Sequence, residues 1–88
     1  MEALLKVEGG KMLRVRGETS GGRISSIVIT GDFFLHPEEA IESLETSLKG
    51  ALLERDAVIA VVSNELAGAT LVGATEEDVA DLVMMLSE

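Results

Sequence analysis

Apolar and polar positions alternate with period two through the first third of the chain. In Ala3 to Glu8, Leu5 and Val7 alternate with Lys6 and Glu8, the pattern of a strand with one wet face. Gly9-Gly10 follows and reads as a two-residue hairpin turn. Leu13 and Val15 then alternate with Arg14, Arg16 and Glu18, a second strand with one apolar and one charged face, and Ser20-Gly21-Gly22 closes a second hairpin. The third run, Arg23 to Thr30, is the most apolar. Ile27 and Ile29 share a face in it while Ile24 falls on the wrong parity, so a bulge at Ser25-Ser26 is expected to restore the alternation.

Beyond residue 35 the period changes. His36-Pro37-Glu38-Glu39 opens a helix, with proline at the first helical position, where its missing N–H costs nothing, and two glutamates complementing the dipole. Ile41, Leu44 and Leu48 recur at helical spacing, and Lys49-Gly50 supplies a cationic last turn and a glycine stop. Val58-Ile59-Ala60-Val61-Val62 suits a buried strand or a buried helix. Asp56 as a cap and Leu66-Ala67-Gly68 as an ending favour helix over 56–66. Thr75-Glu76-Glu77-Asp78 opens the last helix with a capping box, and Val79, Leu82, Val83 and Leu86 form its apolar stripe. Strands first and helices after predict an α+β domain, a three-stranded antiparallel meander followed by three helices packed on one face.

Length and composition limit what such a domain can do. At 88 residues the chain is expected to form one domain over 1–88, too small to enclose a deep active site, so a complete enzyme is disfavoured. With no cysteine there is no disulfide, no Cys zinc site and no thiol nucleophile. No apolar run approaches the length of a membrane span and no basic leader opens the sequence, which points to a soluble cytoplasmic protein with no membrane partner. The net charge of -9 is unevenly placed. Residues 1–35 hold five bases and four acids, whereas residues 36–88 hold two bases and twelve acids. The acidic half argues against nucleic acid and fits a basic partner surface better.

No nucleophile–base pair or phosphate loop emerges. Asp32, His36 and Glu39 fall near one another and could in principle hold a divalent ion, but His36 as a helix cap and Asp32 bonding loop amides is the commoner use of such residues. Gly9-Gly10-Lys11 could cradle an anion, yet lacks the following helix, so a plain turn is preferred. Met84-Met85 reads as helical core or contact surface. Phe33 and Phe34 are the only aromatic residues. Because neighbours in sequence rarely point the same way, one is expected to enter the core and the other to face outward, where it would mark an interface.

At Gly31-Asp32-Phe33-Phe34, between an isoleucine-rich strand and Pro-Glu-Glu, the sequence resembles the accessory domain of lipoate-protein ligases. The matching pattern includes Lys6, Gly10-Lys11, Arg14-Val15, Ile24 to Thr30 and Leu44-Glu45-x-x-Leu48-x-Gly50, about residues 6–50. Beyond it only the helical pattern ending in Gly73-x-x-Glu76-Glu77-Asp78 is similar.

The resemblance implies a division of labour. In that family a large catalytic domain binds ATP, magnesium and lipoate, forms lipoyl-adenylate, and transfers the lipoyl group to a carrier-protein lysine. The accessory domain, fused or separate, is associated with the adenylation step. The chain starts at Met1 and lacks the catalytic domain's Arg-Arg-x-x-Gly-Gly-Gly loop and its essential lysine. It is therefore expected to be the small subunit of a two-chain ligase, inactive and without cofactor alone, in a heterodimer with the catalytic subunit and in indirect contact with lipoate-acceptor proteins. The interface or motif residues it implies are Gly10, Lys11, Gly31, Asp32, Phe33, Phe34 and His36. A module that binds lipoate-acceptor proteins without a ligase and a homodimeric structural domain are the alternatives.

Overall fold

The computed structural model describes residues 1–9 and 11–87. Strands β1 (Glu2–Lys6), β2 (Met12–Ser20) and β3 (Arg23–Gly31) form an antiparallel sheet in the order β1-β2-β3. In β2 and β3 the inward row is Leu13, Val15, Ile24, Ile27 and Ile29, all buried, and alternate residues face solvent. The expected bulge is present. Glu18 pairs with Ser26 and Thr19 with Ile24, so Ser25 is the extra residue and Ile24 returns to the core face.

The two hairpins differ. Ser20 pairs with Arg23, leaving Gly21 (φ 60°) and Gly22 (φ 77°) as a two-residue turn with positive φ at both positions, the twist that suits a tight hairpin. In the first hairpin the Val7 N–H donates to the Lys11 carbonyl at 2.9 Å, so the closing pair encloses three residues instead of two, and Gly10 lies outside the described residues.

Helices α1 (Glu39–Leu48), α2 (Arg55–Leu66) and α3 (Glu76–Met84), the last continued by a 3₁₀ turn at Met85–Ser87, cover the inward face. Leu44 and Leu48 of α1, Val58, Val62 and Leu66 of α2, and Val79, Leu82 and Val83 of α3 join the sheet's inward row in one core. The segment 56–66 is helix, as Asp56 and Gly68 suggested, although Asp56 lies in the first turn and Glu54 is the N-cap. The α3 capping box is complete. Asp78 N–H donates to Thr75 Oγ1 at 3.0 Å, and Thr75 N–H donates to Asp78 Oδ2 at 2.9 Å.

Two features depart from the sequence reading. The meander is not the whole of the strand content, because β4 (Phe34–His36) and β5 (Thr70–Val72) pair antiparallel in a second, two-stranded sheet. Helix α1 begins at Glu39 with Glu38 as N-cap, so Pro37 precedes it and Lys49 is its C-cap instead of part of its last turn. The cause is the same in part: His36 pairs with Thr70, and the chain then turns through Pro37, whose carbonyl accepts the Ala40 N–H at 3.0 Å.

Candidate functional surface

The two-stranded sheet is placed by the end of the large one. Asp32 N–H donates to the Met12 carbonyl at 2.9 Å, extending the β2–β3 ladder by one bond past Gly31. Gly31 itself is fitted tightly: a Cβ there would stand 2.6 Å from the Met12 carbonyl oxygen and 3.0 Å from Leu13 Cα. Phe33 then packs against the core while remaining partly exposed, and Phe34 opens β4 pointing the other way.

Period two decides what β4 and β5 show to solvent. Leu35, buried, pairs with Leu71, which is half-buried. On the opposite face Phe34 pairs with Val72 and His36 with Thr70. Phe34 is 58% exposed and Val72 57%, the two most exposed large apolar side chains among the described residues. The His36 ring lies parallel to that of Phe34 (2° between planes) with centroids 6.4 Å apart. Phe34 is therefore a ridge, held by a cross-strand neighbour and a stacked ring.

A shallow depression lies on each side of the ridge. One is lined by Ile29, Gly31, Phe33, Leu35, Glu38 and Ile41, the other by Lys11, Asp32, Phe33, Val72 and Gly73. Lys11, Gly31, Asp32, Phe33, Phe34 and His36 are thus brought to one surface, and Gly10 lies outside the described residues. The local roles first assigned to two of them need correction. His36 does not cap α1, because it is a strand residue and the Glu38 N-cap carries no side-chain bond. Asp32 takes part through its backbone N–H, and among the described residues its side chain accepts no hydrogen bond from a loop amide. Among the described residues no group of three His, Cys, Asp or Glu side chains converges as a metal site would, so Asp32, His36 and Glu39 do not come together.

Val72 is the member of this surface that sequence reasoning missed. Its local signal is faint: Thr70-Leu71-Val72, between Gly68 and Gly73, has β-branched ends but is only three residues long, too short to establish a period. Chemically the surface offers an apolar ridge with one cation, Lys11, and the carboxylates of Asp32 and Glu38 at its margins. That composition suits docking of a macromolecule: a large apolar protrusion with a few charges to fix register.

Residues 4–83 match the family described as bacterial lipoate protein ligase C-terminus. The chain belongs to that family. The match extends well past residue 50, so the helical C-terminal part of this lipoate ligase domain is covered together with the strand motifs. Among curated relatives, lipoate-protein ligase A subunit 2 of Thermoplasma acidophilum is 43% identical over 44 residues, 50% of this chain and 47% of that protein, so the matched segment spans about half the relative's length. The fold agrees over a far greater extent with a chain solved in the structural analysis of an archaeal lipoylation system, a bipartite lipoate protein ligase and its E2 lipoyl domain, from the same organism. That superposition has a TM-score of 0.78 and 26% identity, and covers 94% of this chain and 97% of the other. No helix among the described residues is long and apolar enough to cross a membrane.

Proposed function

We propose that this chain, residues 1–88 as one accessory domain, is the noncatalytic small subunit of a two-chain lipoate-protein ligase. One observation carries the reading: the likeness to a chain from a bipartite ligase system covers 97% of that chain and 94% of this one, so each accounts for nearly all of the other. The relative named as subunit 2 of a lipoate-protein ligase, from the same organism, agrees with it.

In this reading ATP, magnesium and lipoate are held by a large catalytic subunit in the cytoplasm, which forms lipoyl-adenylate and passes the lipoyl group to a carrier-protein lysine. The Phe34 ridge, with Val72 beside it and Lys11 and Asp32 at its margin, is the docking surface for that subunit. Docking closes the adenylation site, excluding water and holding the lipoate carboxylate against ATP. The purified chain mixed with the large subunit is expected to raise lipoate-dependent pyrophosphate release above that of the large subunit alone, and to release none by itself. Full activity of the large subunit without this chain, together with no complex by gel filtration, would overturn the reading.

A further inference from the structure

The two edges of the three-stranded sheet are treated differently. The β3 edge is closed by the chain itself: Ile24 N–H donates to Ala51 O at 3.0 Å, Gly50 N–H to Ile24 O at 2.7 Å, Leu53 N–H to Gly22 O at 2.9 Å, and Ile29 N–H to Glu45 Oε2 at 2.8 Å. The β1 edge has no such cover among the described residues. Val7 N–H bonds to Lys11 O and Gly17 N–H to Met1 O, so the odd-numbered residues of this strand face β2. Alternation then aims the backbone N–H and C=O groups of Glu2, Leu4 and Lys6 outward from the sheet. Below the edge, Ala3 and Leu5 are only half-buried, whereas their cross-strand partners Val15 and Leu13 are fully buried.

Charges on an edge strand usually blunt pairing with another chain. Here their signs do the opposite. We propose that the β1 edge is an interface with a second copy of this chain, paired antiparallel about Leu4 to give a continuous six-stranded sheet. In that register Leu4, 48% exposed, faces Leu4 of the second copy, and each Glu2 faces the other copy's Lys6. All three pairs fall at positions that exchange both backbone hydrogen bonds. Sliding one copy by two residues sets a charge opposite Leu4, so the side chains select the centred register. The second copy also covers the half-buried Ala3 and Leu5. No residue of β1 lines either depression beside Phe34, so this interface and the Phe34 surface are separate.

Such a short interface predicts a weak dimer, so sedimentation velocity is run on the full chain from micromolar into millimolar concentrations at physiological salt. The parent is expected to shift from monomer to dimer across that range. Lys6→Glu replaces both opposite-charge pairs with like-charge pairs and is expected to weaken the dimer roughly tenfold. Combining Glu2→Lys with Lys6→Glu restores complementarity and is expected to return the parent's affinity. Leu4→Pro removes an N–H that takes no part in the β1–β2 ladder, and is expected to abolish the dimer while leaving the circular dichroism spectrum unchanged. A chain that stays monomeric throughout overturns the proposal. So does a dimer that Lys6→Glu leaves intact, or one that the charge swap fails to rescue.

Discussion

The large sheet and the small one obey the same alternation and put it to different ends. In β2, inward Leu13 and Val15 are fully buried, and Arg14 and Arg16, which alternate with them, face water. In β4, inward Leu35 is buried, but the first residue that faces water is Phe34. Folding requires the inward rows of both sheets. It does not require a phenylalanine and a valine side by side on the outward face of the small one, where burial gains nothing within the chain. Between β2 and β4, the difference separates an inward row that holds the domain together from an apolar pair left at the surface.

The largest effect that separates the two regions is expected in the common core. Leu44→Ala or Leu82→Ala removes a side chain at 1% or 0% exposure and is expected to cost about 2–5 kcal/mol. In a domain this small that is a large part of the total stability, so urea titrations followed by circular dichroism should show the transition moved far toward zero denaturant. A loss below about 1 kcal/mol at both positions would mean that the core is less closely packed than the structure indicates.

Next comes the junction between the regions. Gly31→Val drives a branched side chain into the Met12 carbonyl and Leu13, and is expected to cost about 1–3 kcal/mol. Lys11→Ala, at an exposed position, should stay within about 0.5 kcal/mol of the parent. If thermal melts place the two variants together, the small sheet is not pinned to the large one at this glycine.

The adjacent phenylalanines give the most direct comparison. Phe34→Ala is expected to leave stability within about 0.5 kcal/mol while weakening assembly with the large subunit by about 2 kcal/mol, roughly thirtyfold. Phe33→Ala is expected to do the reverse, costing about 1–3 kcal/mol of stability because its ring is partly buried against the core. Titration calorimetry beside thermal melts checks both. Equal melting temperatures and equal affinities for the two variants would remove the distinction between the regions.

How far the sequence was legible follows the same division. Strands β1 to β3 and helix α3 could be read because their signals are local: alternation over five to nine residues, a Gly-Gly turn, a capping box. Even the Ser25 bulge showed itself as a parity error between Ile24 and Ile27. The start of α1 was misplaced because Pro37 and two glutamates carry a strong local signal, while the pairing of His36 with Thr70 joins residues 34 apart and leaves no mark near Pro37. Strands β4 and β5 are three residues each, too short for a period to stand out, and each exists because the other is there. Of the candidate surface, the Phe33–Phe34 divergence could be expected from adjacency. The apposition of Val72 with Phe34 could not, since it depends on how two helices, α1 and α2, return the chain to β4.

The smallest effect concerns the point where the chain leaves the small sheet for the core. Three residues separate β5 from the first residue of α3, and Thr75, the last of them, holds the reciprocal pair of bonds with Asp78. These bonds satisfy the Thr75 and Asp78 N–H groups, and Glu76 and Glu77 beside them complement the helix dipole. Thr75→Ala removes the oxygen that accepts the Asp78 N–H, and is expected to cost about 1 kcal/mol, whereas Thr75→Ser keeps it and should cost much less. The loss should also be local. Amide exchange is expected to quicken most in the first turn of α3 and in β5, and least at Val15 and Ile29 in the large sheet. Exchange accelerated uniformly across the chain would mean that the two sheets unfold as one unit, and that the small sheet owes its order to the core as a whole instead of to this cap.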